Sequence, residues 1–278
     1  MLIPKKNTEL EAELAKIGGP AIDENARKEV TFYIINATVT RLVGVFLLLA
    51  SLVCLVLDRP FVVPMVLGYV IVVVYIILRR KTIKKYVMGL VNECDAVKSY
   101  TIFRELLIRS TRKRAMYQNF YNVANALLLA GYDKEAEACI TLAQQYCAGP
   151  IAKLLEYVLR MDLCVYREDL EGLKNLQPQV EALTSASKIP PAYLRSYESR
   201  KFYFTGATCW NEEKYDELLQ LLESPSVLRR FTLSLVKYNY LKSKVLTAAG
   251  REEEAVSCRD YVIANGGTTW YRKRCMEA

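Results

Sequence analysis

The sequence predicts an all-α protein: a two-helix transmembrane hairpin followed by a cytoplasmic α-solenoid of about four helix pairs. Three observations carry that expectation. The runs 42–57 and 61–78 hold no charged residue, and only Asp58, Arg59 and Pro60 separate them. Downstream, apolar residues recur at the helical period of 3.6, with no strand-like alternation between hairpin turns. Breaks at Gly131, Gly149-Pro150, Pro190-Pro191, Pro225 and Gly250 divide that stretch into lengths suited to helices. The 278 residues are 52% hydrophobic and 24% charged, which excludes a disordered chain.

The elements follow in order. Residues 1–29 read as a short amphipathic helix and linker. Thr8 and Glu11 have capping-box spacing, Leu10, Leu14 and Ile17 form one face, and Gly18-Gly19-Pro20 ends it. Residues 30–78 read as the membrane hairpin, with spans at about 35–57 and 61–78. The sixteen- and eighteen-residue apolar runs would cover roughly 24 and 27 Å, close to a bilayer core of about 30 Å. Basic residues flank the pair, Arg27, Lys28 and Arg41 before it and Arg79 onward after it, while the turn holds one Arg. The positive-inside rule then places both termini in the cytoplasm. No Asp, Glu, Lys, Arg or Asn interrupts either run, so the hairpin reads as an anchor rather than a conduit. Gly44, Gly68 and Ser51 offer positions where the two helices could approach closely.

Residues 79–114 read as a basic juxtamembrane helix. They hold eleven basic and three acidic residues, which is the whole net charge of +8, because the remaining segments balance. Arg79, Arg80, Lys81, Lys84 and Lys85 are the expected contacts to anionic lipid headgroups, at about 1 kcal/mol for each residue near the surface. Arg109, Arg112, Lys113 and Arg114 would lie some 35–40 Å further along a straight helix and contribute less.

Residues 115–278 contain two similar breaks, Ala-Gly131-Tyr-Asp-Lys-Glu-Ala136 and Ala-Gly250-Arg-Glu-Glu-Glu-Ala255. Each reads as a helix, a Gly stop, an acidic helix start and an Ala. This resembles the tetratricopeptide repeat, a helix–turn–helix unit of 34 residues. The best copy spans about 118–148, with Ala124, Leu127, Gly131, Ala136, Ile140 and Ala143, and a fair one about 237–265. Weaker units align Leu170 with Ala136, and Gly206 and Leu218 with the corresponding positions of a third pair. Helical hairpins of another solenoid type remain the alternative. The resemblance implies a concave face of A helices carrying Gln118, Tyr121, Asn125, Arg200, Tyr203, Lys237, Tyr240 and Lys244, suited to an acidic peptide or terminal carboxylate.

The functional expectation is a membrane-tethered cytoplasmic adaptor that binds a partner protein or acidic peptide near the bilayer, with anionic lipid as a second partner. The alternative is a structural or assembly subunit that uses the hairpin as its interface. Histidine is absent, and no phosphate loop, nucleophile elbow or kinase motif occurs, so an enzyme is not expected. No cofactor, metal site, nucleic acid or small-molecule substrate is expected either. The eight cysteines lack C-x-x-C spacing and suit a reducing compartment. Without a eukaryotic targeting signal, a bacterial plasma membrane is the expected location.

Overall fold

The computed structural model describes residues 6–57, 59–224 and 230–278, and the side chains of Arg79, Arg80 and Ile83 lie outside that set. Asp58 of the turn and the Pro225 break also lie outside it. Among the described residues all regular structure is α-helical: α1 Thr8–Ile17, α2 Glu24–Val56, α3 Val62–Glu93, α4 Ala96–Leu107, α5 Lys113–Leu129, α6 Asp133–Tyr146, α7 Pro150–Arg167, α8 Leu170–Ala186, α9 Pro191–Glu198, α10 Phe202–Asn211, α11 Tyr215–Glu223, α12 Thr232–Ala248, α13 Glu252–Asn265 and α14 Trp270–Glu277.

In α1 the cap is Asn7, one residue before the expected Thr8. Its Oδ1 accepts from the Leu10 amide at 3.0 Å. Leu10 and Leu14 are fully buried in one core with Phe103, Leu107 and Leu127. The first helix is therefore part of the folded body.

α2 and α3 run antiparallel. Lys85 meets Glu29 at 2.8 Å, the Tyr33 and Tyr86 rings pack edge-on at 6.0 Å, and Gly68 lies against Leu48. A Cβ on Gly68 would stand 3.1 Å from the Leu48 nitrogen and 3.2 Å from the Gly44 carbonyl, while Ser51 is buried and donates to the Leu48 carbonyl at 2.7 Å. The close approach expected at these small residues is present. α2 is long and apolar enough to cross a membrane, with a mean hydropathy of 2.5 over its best window, and α3 contributes the shorter apolar stretch Val62–Leu78. Among the described residues, all but three of the large exposed hydrophobics lie between positions 32 and 78. Unlike the other helices, these two leave their apolar sides uncovered.

The expected single basic helix over 79–114 is not formed. α3 stops at Cys94, which adopts a left-handed conformation (φ 54°), and Asp95 caps α4 by accepting from the Lys98 amide at 3.0 Å. The chain then turns back. Asp23 donates its amide to Thr101 Oγ1 at 3.0 Å, and Arg27 Nε lies 3.3 Å from Glu105. Both pairs are 78 positions apart, so α4 runs parallel to α2 and antiparallel to α3. The boundary expected at residue 115 also falls inside a shared core, because Tyr100, Phe103 and Leu107 of α4 pack with Phe120, Val123 and Leu127 of α5.

Four helix pairs follow: α5–α6, α7–α8, α10–α11 and α12–α13. Each turn contains one residue with positive φ: Gly131, Glu168, Glu213 or Gly250. In each, the next amide reaches the carbonyl five positions back, Tyr132 to Leu127, Asp169 to Cys164, Lys214 to Cys209 and Arg251 to Leu246, at 2.8–2.9 Å. This is one Schellman-type closure used four times. The fifth residue after each positive-φ position is buried, Ala136, Leu173, Leu218 and Ala255. Leu173, rather than the expected Leu170, is thus the counterpart of Ala136.

The end of the chain returns to its beginning. Trp270 of α14 stacks edge-on with Tyr166 (4.8 Å) and Tyr240 (5.0 Å), and Arg274 lies over Tyr166 and Trp270 while donating to the Tyr166 carbonyl at 2.7 Å. At the neighbouring junction Gly267 has φ +54°, and a Cβ there would stand 2.5 Å from the Cys94 carbonyl oxygen. Thr268 fixes the contact, donating its amide to Cys94 and accepting from the Ala96 amide through Oγ1 at 2.8 Å. Gly267→Ala is expected to cost more than the about 1–2 kcal/mol of a left-handed residue, since backbone cannot turn aside. Gly250→Ala, where a Cβ meets nothing within 4 Å, is the comparison. Thermal unfolding should rank Gly267→Ala clearly below it; equal losses would mean that the junction yields.

Candidate functional site: a basic and aromatic cleft

Between the α2–α3 pair and the inner side of the helix pairs lies a cleft of about 800 Å³. Its lining residues on α3 include Tyr75 and Val91, sixteen positions apart, so it extends about 24 Å along that helix. At about 3.3 Å per residue, an extended chain lying along that length would have about seven residues in the cleft.

Six of the eight groove residues expected from the sequence line this one cleft: Gln118, Tyr121, Asn125, Arg200, Tyr203 and Lys237. Tyr240 and Lys244 do not. Tyr240 is buried against Trp270 and Tyr271 because α14 covers that side of α12. Lys244 pairs with Glu168 and lies over the Trp210 ring.

At the inner wall, α7 supplies Asp162, α12 supplies Lys237, and Arg200 and Tyr203 come from the α9–α10 junction. Asp162 accepts from Arg200 Nε at 2.6 Å, from Lys237 Nζ at 2.7 Å and from the Tyr203 hydroxyl at 3.2 Å. Burial pushes the Asp162 carboxyl up, but Arg200 and Lys237 outweigh it and hold it below the usual carboxylate range. Burial alone would lower Arg200, yet Asp162 raises it above its ordinary value. Lys237 goes the other way. Burial, with the neighbouring Arg200 charge, lowers its ammonium despite Asp162. One carboxylate therefore serves two cations, and Lys237 is the one left under-compensated.

Gln118, Asn122 and Asn125 lie at i, i+4 and i+7 on α5 and line the cleft together. Gln118 donates to Asn122 at 3.2 Å. Side-chain amides present a donor and an acceptor, the pair that a peptide group requires. The lining holds Arg41, Arg109, Arg112, Arg200 and Lys237 against Asp162 alone. An anionic occupant is favoured by that excess.

Asp162 was not anticipated from the sequence. The signal was a lone carboxylate within the buried stripe Leu154, Leu155, Val158, Leu159, Met161 and Leu163, where a charge needs a partner. Among the expected lipid contacts, Lys81 and Lys84 are exposed, and Lys85 is paired with Glu29; the Arg79 and Arg80 side chains lie outside the described residues. Burial pushes the thiol of Cys139 up to about 12 and that of Cys94 to about 11, so neither is a reactive nucleophile at neutral pH.

Against family models, curated proteins and solved structures alike, the chain has no match. The functional reading therefore rests on the cleft.

Proposed function

We propose that this chain is a membrane-anchored adaptor that holds a short anionic polypeptide segment of a partner in the cleft, beside the bilayer. In this reading α2 and α3 form a transmembrane hairpin with both termini in the cytoplasm, in a bacterial plasma membrane. The four pairs form a tetratricopeptide-like solenoid, and the protein is a binding module rather than an enzyme. The observation that carries the reading is the cleft itself. It runs about 24 Å along α3, its α5 wall offers a row of amides, and Lys237 shares one carboxylate with Arg200. A carboxylate from the occupant would complete the Asp162, Arg200 and Lys237 cluster with charge-assisted hydrogen bonds.

A second reading, a subunit of a larger membrane assembly, draws on the uncovered apolar sides of α2 and α3. Selection from a random heptapeptide library on the full chain in lipid nanodiscs separates the two. Acidic sequences should be enriched, and Lys237→Gln should weaken their binding about tenfold or more, as for a hydrogen bond to a charged group. No enrichment over an Asn125→Trp variant, whose indole would obstruct the cleft at the α5 wall, would remove the adaptor reading and leave the assembly one.

A further inference from the structure

The reversal of the chain at Cys94 changes what the second basic cluster faces. Because α4 runs parallel to α2, its C-terminal end points the same way as the apolar run that begins at Leu42. The loop 108–112 therefore leaves α4 on the side of the apolar helices, not some 35–40 Å away from them. Arg112 of that loop lines the same cleft as Thr38 and Arg41 of α2 and Tyr75 of α3. The offset of 78 puts Leu107, the last residue of α4, level with residue 29 of α2, and the loop continues from there in the direction of Arg41. Side chains on a helix lean toward its N-terminus, so Arg41 leans toward the loop. Arg41, Arg112 and Lys113 are all exposed, and no carboxylate pairs with any of them among the described residues. Arg109 differs, its side chain being largely covered and paired with Glu105 at 2.9 Å.

We propose that Arg41, Arg112 and Lys113 form a binding site for the phosphate of an anionic membrane lipid at the mouth of the cleft. The site rests on the membrane reading of α2 and α3. Arg41 of α2 and Arg112 of the loop line the same cleft, Lys113 follows Arg112 directly, and Arg41 stands where the apolar run begins, which is where a lipid phosphate lies when the acyl chains cover that surface. The hydroxyl of Tyr75, which lines the same cleft, adds a hydrogen-bond donor. By contrast, Lys85 of the first basic cluster is already occupied by Glu29.

The test uses the full chain in nanodiscs of phosphatidylcholine with or without phosphatidylglycerol, and native mass spectrometry to count the lipids retained on release. The wild type is expected to keep phosphatidylglycerol in preference to phosphatidylcholine. Arg112→Gln with Lys113→Gln should reduce that retention roughly tenfold, Arg41→Gln should reduce it as well, and Lys81→Gln with Lys84→Gln should reduce it least. The substituted side chains are exposed, and unchanged thermal unfolding confirms that each variant is folded. The reverse ranking would assign the headgroups to the basic end of α3 and overturn the site. Release of the lipid by added inorganic phosphate would mean a free-phosphate site instead. A chain that stays soluble without lipid or detergent would overturn the membrane reading on which the site depends.

Discussion

Asp162→Ala is expected to destabilise the folded chain by about 3–5 kcal/mol, the cost of leaving buried cations without their anion. The side chains of Asp162, Arg200 and Lys237 are 8%, 16% and 22% exposed. Water can therefore replace little of what the carboxylate supplies. Adding Lys237→Met to Asp162→Ala should recover part of the loss, since it removes the cation that is already under-compensated. The difference between the double variant and the sum of the single ones measures the coupling. A loss near 1 kcal/mol for Asp162→Ala alone would mean that the cleft is wetter than its geometry implies.

The same cluster sets a dependence on pH. Asp162 titrates lower in the folded chain than in the unfolded one, so its contribution is present above the unfolded value of about 3.9 and is lost as pH falls through the lower folded value. Lys237 is also lowered, so its charged form is disfavoured by folding, and stability rises where pH passes from its folded value toward about 10.4. An Asp162→Asn chain should lose Asp162's share of the acid-side dependence, with Glu156 and Glu11 keeping theirs, while the alkaline dependence remains.

The all-helical class and the apolar pair were legible because both follow from local patterning. Two of the four turns were legible too, since Gly131 and Gly250 supply the left-handed residue that such a closure needs. Glu168 and Glu213 do the same work in the other two, and a non-Gly residue in that conformation carries no sequence signature. Cys94 is a third case, with larger consequences. Its positive φ ends α3 and sends α4 back along α2, which a count of basic residues could not reveal. The charge of this stretch misled for a related reason: Arg104, which is buried, and Arg109, which is largely covered, look like surface cations but pack around Glu105. Of the groove residues, Tyr240 was misplaced because α14, which the repeat pattern does not include, covers it.

Glu105 is the second position where a single change should matter most. It is 1% exposed, and four cations surround it: Arg109 at 2.9 Å, Arg27 at 3.3 Å, Lys6 at 3.8 Å and Arg104 at 4.0 Å. Lys6 precedes α1 and Arg27 belongs to α2, so one carboxylate joins three elements that are distant in sequence. Glu105→Gln preserves the shape and removes the charge. Arg104 and Arg109, whose side chains are 11% and 9% exposed, would then lack a counter-ion, and a loss of about 3–5 kcal/mol is expected. Glu24→Gln removes an exposed partner of Arg27 and should change stability by less than about 1 kcal/mol. Urea or thermal unfolding of both variants in the same detergent makes the comparison. Because the register of α4 on α2 is what brings Arg112 toward Arg41, Glu105→Gln should also weaken phosphatidylglycerol retention, although Glu105 is too buried to touch lipid. If Glu105→Gln is no more harmful than Glu24→Gln, the packing of Leu107 and Ile34 with their neighbours holds that register by itself.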